Sequence, residues 1–293
     1  MAYKEGLVIK KYSGFYYVQD EEMQVFECKL RGKLKKAVLT GDRVKFTALE
    51  EHRGVLESIL PRNNALDRPL VANVTTVLIV MANNKPSPNL PLLDRLLFLA
   101  SYKGLSPIII LNKCDLEDDE KSLMIKGYYH RAGFKLIQTS AKMKIGLDIL
   151  RQAIKGQIAV FTGPSGSGKS SLLNALIEGL NIRTQEVSKK IGRGKHTTRH
   201  VELFPLQNGA WLVDTPGFSV LDIPTAVKSR DLAEHFWEFK TYNNNCRFNN
   251  CLHYKEKDCG VKEAVAEGLI ADFRYQSYLS MLEEVIENER CYK

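Results

Sequence analysis

Four short stretches of this 293-residue chain carry residue types and spacings that suit nucleotide chemistry. Gly163-Pro164-Ser165-Gly166-Ser167-Gly168-Lys169-Ser170 matches G-x-x-x-x-G-K-[ST]. In that pattern glycines let backbone N–H groups wrap phosphate oxygens, and a helix opens at once with its positive end toward the anion. Lys169 would reach the β- and γ-phosphates, the Ser170 hydroxyl would hold Mg²⁺, and Ser171 stands where the helix begins. In Asn112-Lys113-Cys114-Asp115, the Asp115 carboxylate can accept from guanine N1–H and its exocyclic amine together, a pairing adenine cannot supply. Such a pair discriminates strongly, because the wrong base leaves a buried carboxylate unpaired. Thr139-Ser140-Ala141-Lys142 reads as a supporting base loop, and Asp214-Thr215-Pro216-Gly217 closes an apolar run. Asp214 would act on Mg²⁺ through water, and Gly217 is the glycine of a γ-phosphate sensor. The chemistry implied is binding of GTP or GDP with Mg²⁺.

The order of these stretches is informative. An ordinary guanine-nucleotide domain runs phosphate loop, switches, then base loops; here both base loops come first. That indicates a circular permutation whose break falls just after Asp214-Thr215-Pro216-Gly217, in switch II. The phosphate loop alone would suit ATPases or a nucleotide kinase. Taken with the other three, each at the end of an apolar strand, it specifies a guanine site. A phosphotransferase, or an RNA-binding scaffold that uses nucleotide only structurally, are the rival classes.

Positioning these loops takes βα alternation. Strands are expected over 74–82, 107–111, 135–139, 158–161, 200–205 and 210–213, with helices over 92–102, 117–132 and 145–154 and another from about 171. The ligand loops then lie at the carboxyl ends of strands, as an open α/β sheet requires. Ahead of this lie five short β-rich runs (7–9, 15–18, 25–28, 43–46, 55–59) punctuated by Ser13-Gly14, Arg31-Gly32 and Thr40-Gly41-Asp42. That pattern fits a small OB-type barrel, a common nucleic-acid platform. Lys10, Lys11, Arg31, Lys33, Lys35 and Lys36 lie among its runs, with Phe15, Tyr16 and Tyr17 available for stacking. An ordinary solvated face over core aromatics is the alternative. Residues 61–69 read as a linker.

The C-terminal piece carries Cys246-x4-Cys251-x-His253-x5-Cys259. Three thiolates and an imidazole complete a closed tetrahedral Zn²⁺ shell with no position left for catalysis. Helix-period residues over 261–266 and 270–286 should pack around it. Removing zinc is expected to unfold this piece while the nucleotide domain still binds GDP. The expected fold class is multidomain α/β: an OB-type barrel (1–66), a circularly permuted P-loop GTPase domain (70–222) and a helical zinc-binding domain (223–293).

Composition fits this reading. Lys+Arg number 42 against 34 Asp+Glu, a net charge of +8 that suits a polyanionic partner. No apolar run approaches membrane-spanning length and the N-terminus lacks a signal-like core, so the chain reads as cytoplasmic and without a membrane partner. The six cysteines then argue for thiols or metal rather than disulfides.

Hydrolysis poses a separate question. Many GTPases place a water-orienting glutamine just after the switch II glycine; here that residue is Phe218, so intrinsic turnover should be slow. The stretch Ile191-Gly192-Arg193-Gly194-Lys195-His196-Thr197-Thr198-Arg199-His200 is read as switch I. Thr197 or Thr198 would close on Mg²⁺ and the γ-phosphate. His196 either orients water or contacts RNA or solvent. Its basic, glycine-containing make-up suits ordering by a phosphate backbone.

Over essentially its whole length the chain resembles the ribosome small-subunit-dependent GTPases of the RsgA (YjeQ/YloQ) family. The resemblance rests on the permuted motif order, the OB-type front, the Cys/Cys/His/Cys segment, Gly-Arg-Gly-Lys-His-Thr-Thr and Phe218. Pro164 and Ser167 depart from residues frequent in that family's phosphate loop. The resemblance implies a monomeric late-stage assembly factor of the small ribosomal subunit. It would bind rRNA near the decoding region and leave on subunit-stimulated GTP hydrolysis, with His196 implicated in catalysis.

Overall fold

The computed structural model of the chain describes residues 3–32, 36–67, 69–177, 201–213 and 222–291. At the front, β1 (Tyr3–Tyr12), β2 (Phe15–Asp20), β3 (Val25–Leu30), β4 (Arg43–Ala48) and β5 (Arg53–Ile59) close into a barrel in the order β1-β2-β3-β5-β4. Period-2 alternation sends Val8, Val18, Phe26, Val44, Phe46 and Leu56 inward, where all are buried. The expected linker is structured instead. Arg62 donates to the fully buried Asp42 carboxylate (Nε–Oδ1 2.5 Å) and to the Ala37 carbonyl. The hairpin β6 (Ala65–Asp67) and β7 (Leu70–Ala72) then sends Leu66 and Val71 into the core of the next domain. Period-2 alternation over three residues is too short to stand out against turn-forming neighbours.

The nucleotide domain is built on β8 (Thr76–Ala82), β9 (Ser106–Asn112), β10 (Lys135–Thr139), β11 (Ile158–Thr162), β12 (Leu203–Pro205) and β13 (Trp211–Val213). They form one sheet in the order β10-β9-β8-β11-β13-β12, parallel except for β12. Every residue of β8 is buried, which is why Thr-Val-Leu-Ile-Val-Met-Ala reads as continuous rather than alternating: helices cover both faces. One face packs on α1 (Leu90–Tyr102) and α2 (Glu120–Tyr128) through Leu93, Leu97, Ile125 and Tyr129; the other on α3 (Leu147–Ala153) and α4 (Lys169–Leu176) through Leu150, Leu172 and Leu173. The helix expected over 117–132 is shorter at both ends. Asp119 caps it by accepting from the Lys121 amide while Ser122 accepts from the Asp119 amide, so residues 117–118 stay outside.

Behind the sheet come short helical turns, Ser229–Leu232, Ala233–His235, Trp237–Phe239 and Lys240–Asn243, then helices Gly260–Ala266 and Asp272–Cys291. Their core (Leu232, Phe236, Phe239, Val261, Tyr278, Leu282) takes in Phe98 and Leu99 of α1, so it is continuous with the nucleotide domain. Among the described residues no helix is long and apolar enough to cross a membrane.

Candidate nucleotide and metal sites

The phosphate loop begins where β11 ends. Gly163 has φ +132°, and a Cβ there would run into the Val80 carbonyl of β8; Gly168 has φ +96°, and a Cβ would strike the Asn112 amide. Only glycine permits both approaches. Gly168 is the N-cap of α4 and makes no side-chain cap, so the first-turn N–H groups are left to an anion. Lys169 Nζ donates to the Gly163 and Pro164 carbonyls (2.8 and 2.7 Å), and burial lowers its pKa. A phosphate would replace those neutral acceptors with charged ones, favouring the ammonium form that burial disfavours. Ser165, Gly166 and Ser171 are exposed, Pro164 and Ser170 half-buried, and Ser167 is buried within the loop.

Asn112 ties three loops together at the end of β9. Its Nδ2 donates to Ser167 O (3.0 Å), and its Oδ1 accepts from Thr139 Oγ1 (3.1 Å) and the Ala141 amide (3.3 Å). The Cys114 amide donates to Thr139 O, joining the two base loops by backbone as well. Asp115 accepts from Ser140 Oγ at 2.6 Å; that hydrogen bond holds its carboxyl below its ordinary value, favouring the ionised form that can accept from guanine. Lys142 is exposed beside it. The base loops and phosphate loop therefore meet in space despite their separation in sequence. Asp214, Gly217, His196, Thr197 and Thr198 lie outside the described residues, as does Phe218.

One contributor escaped the sequence reading: the loop after β8. Asn83 Nδ2 donates to the Leu116 and Glu117 carbonyls (2.9 and 3.2 Å), and Ser122 Oγ donates to Asn83 O. Lys113 Nζ donates to Lys85 O, and Pro86 lies beside Gly166. This loop braces the base loop on one side and the phosphate loop on the other. Asn83 and Asn84 at the carboxyl end of the central strand were the available signal, because ligand loops cluster there.

Cys246, Cys251, His253 and Cys259 bring their ligand atoms within 4.8 Å of one another. His253 Nδ1 is 3.6 Å from Cys246 Sγ and 3.3 Å from Cys259 Sγ, and the last two sulfurs are 3.9 Å apart. Bonds of 2.0–2.3 Å in a tetrahedron give edges of about 3.5–3.8 Å, so these four groups could hold one zinc ion. Glu256 gathers the knuckle by accepting from the Leu252 and Tyr254 amides, and the Tyr275 and Tyr278 hydroxyls fasten it to the last helix by donating to His253 O and Leu252 O. Burial lowers the His253 pKa, favouring the neutral imidazole that ligates metal. Burial pushes the Cys251 thiol up to about 12 and the Cys259 thiol upward too, so thiolates here require a cation. Cys28 is enclosed in the barrel, and Cys114 and Cys291 lie away from the cluster.

Guanine-type loops preceding a phosphate loop on one sheet, with a closed barrel ahead and a Cys₃His cluster behind, define a circularly permuted GTPase. The RsgA GTPase family matches residues 59–224 and the RsgA N-terminal domain matches residues 5–56. A Small ribosomal subunit biogenesis GTPase RsgA of Moorella thermoacetica is 45% identical, over 98% of this chain and 99% of its own length. One from Clostridium perfringens is 46% identical, over 96% and 98%. The crystal structure of YjeQ from Thermotoga maritima superposes with a TM-score of 0.83 at 36% identity, covering 97% of this chain and 99% of that one. That of YloQ, a circularly permuted GTPase, also gives 0.83, at 34% identity over 98% and 96%. The chain belongs to the RsgA GTPase family, and its activity is GTP hydrolysis.

Proposed function

We propose that this GTPase is a late-stage biogenesis factor of the small ribosomal subunit, which binds subunit rRNA and leaves when the subunit stimulates GTP hydrolysis. The observation that carries the reading is that barrel, permuted nucleotide domain and Cys₃His knuckle all occur on one chain matching relatives of that name end to end. In this reading Asp115 selects guanine, Asn112, Lys113, Cys114, Ser140, Ala141 and Lys142 shape the base pocket, and residues 163–171 hold the phosphates. Ser170 and Asp214 attend Mg²⁺, with Gly217 at the γ-phosphate. Thr197 or Thr198 closes on the metal, and His196 orients water in place of the glutamine that Phe218 displaces. Cys246, Cys251, His253 and Cys259 hold one structural Zn²⁺. The protein acts as a cytoplasmic monomer divided at about residues 66–70 and 222–223.

A polyanion has a surface to meet. Lys29 Nζ lies 5.1 Å over the half-buried Phe15 ring, whereas Tyr16, under Lys11 Nζ at 5.5 Å, is part of the barrel core and is not available for stacking. If phosphate contacts dominate, subunit affinity should fall steeply and log-linearly with salt in a filter-binding series; a flat response would remove the barrel from the interface. The decisive test is GTP turnover by the purified protein with and without small subunits, with ATP as control. Strong stimulation confined to GTP is expected, and no stimulation would send the search for an activator elsewhere. Turnover that needs a small-molecule acceptor would point to a phosphotransferase.

A further inference from the structure

The barrel and the nucleotide sheet share a short stretch of backbone. Lys10 of β1 and Glu202, the residue before β12, form an antiparallel bridge, and their side chains pair at 3.0 Å. Thr40, in the loop leading to β4, adds a second tie by donating its hydroxyl to Val201 O at 3.1 Å. Strand β12 is at the edge of the described sheet, so β1 covers the strand end that would otherwise offer unpaired backbone. The location is what gives this contact consequence. Val201 directly follows the stretch 191–200 read as switch I. In the register of β12 on β13, Leu203 faces Val213, the residue before Asp214. One grip thus sits beside the root of one γ-phosphate sensor and one step in register from the root of the other.

We infer that Lys10 and Thr40 of the barrel, gripping Val201 and Glu202, are positioning residues for GTP hydrolysis: the barrel sets the β12–β13 hairpin from which both switches depart. The inference rests on the reading of 191–200 and 214–217 as switches. The ion pair is half-exposed, and pairs of that kind contribute little to stability, so its removal should leave the fold intact. Its effect is on register. A partner that engages the barrel would reach the hydrolytic site through this backbone tie, without touching nucleotide.

The test compares wild type, Lys10→Glu, Glu202→Lys and the doubly reversed chain for GTP kcat and KM, with and without small subunits, and for GDP affinity. Each single reversal is expected to lower subunit-stimulated kcat about tenfold, with KM and GDP affinity within about twofold. The doubly reversed chain should recover most of the loss. Equal kcat in all four proteins would overturn the inference. So would a Lys10→Glu loss that the second reversal leaves unrepaired, since Lys10 would then be acting on the partner rather than on Glu202. If wild type shows no stimulation, the ribosomal reading falls, and the same variants' intrinsic kcat decides the clamp separately: a rescued loss supports it, unchanged rates overturn it.

Discussion

Arg274→Ala should destabilise the protein by about 3–5 kcal/mol, the range for stripping one partner from a buried ion pair. Arg274 lies on the helix Asp272–Cys291 with its side chain 1% exposed. Its Nη1 meets Asp94 of α1 at 2.8 Å and its Nε meets Glu238 at 2.5 Å; the Tyr129 hydroxyl also donates to Asp94. The Phe236 and Phe134 rings flank the guanidinium at 4.3 and 5.5 Å. Burial opposes every charge here. It works against the guanidinium, yet Asp94 and Glu238 outweigh it and hold Arg274 firmly protonated; it pushes the Asp94 carboxyl up, and Arg274 pulls it back. Without the cation two carboxylates would share a dry interface. Removing Asp94 together with Arg274 should therefore cost less than the two single losses summed. Arg274→Lys should recover only part of the stability, because an ammonium cannot serve both carboxylates with a fixed fork.

Where that destabilisation appears is as telling as its size. The chain has two tryptophans, Trp211 in β13 of the nucleotide domain and Trp237 in the C-terminal turns. In urea unfolding, the Trp237→Phe background follows the nucleotide domain through Trp211. The Trp211→Phe background follows the C-terminal turns and their seam with that domain, since Trp237 donates Nε1–H to Ala132 O and packs on Phe134. Because Asp94 and Arg274 belong to different halves, both signals should shift together in Arg274→Ala. A shift confined to Trp237 would mean that the ion pair stabilises only the C-terminal half.

The division of the fold into barrel, sheet and knuckle was legible because each piece carries its own local pattern. Period-2 runs separated by glycine turns marked the barrel, and apolar runs over 107–111, 135–139 and 158–161 marked strands of the sheet. The contacts between pieces were not legible, for a physical reason. Arg274 reads as an ordinary helical cation, since nothing local tells that Asp94, 180 residues earlier, will face it. The bridge from Lys10 to Glu202 is equally silent, being a meeting of two unremarkable polar residues. Asn83 and its loop escaped because no phosphate- or base-contacting motif covers it; its work is to hold other loops. The candidate nucleotide site is read from chain-local motifs, whereas the support of its loops follows from tertiary pairing.

That distinction changes what zinc removal should do. Treating the knuckle as a separate module leads to the expectation that chelation unfolds it and spares GDP binding. The structure leads to a different result. Structural zinc contributes on the order of 10 kcal/mol in small zinc peptides, comparable to the whole stability of a domain. Without it the four ligand groups have little to hold them together, and the carbonyls of Leu252 and His253 are released from Tyr278 and Tyr275. Those tyrosines lie on the helix that carries Arg274 and packs with Phe98 and Leu99 of α1. Helix α1 in turn follows the loop whose Lys85 carbonyl receives Lys113 and whose Asn83 holds the carbonyls after Asp115. Chelation should therefore lower the unfolding midpoint reported by Trp211 as well as by Trp237, and weaken GDP binding by roughly a few-fold to tenfold, about 1 kcal/mol. Titration calorimetry with GDP before and after chelation, and again after adding Zn²⁺ back, measures this directly. Unchanged GDP affinity with a Trp237 transition separated from that of Trp211 would show that α1 holds its place unaided. Full recovery on adding Zn²⁺ is expected otherwise, because nothing covalent is lost when the metal leaves.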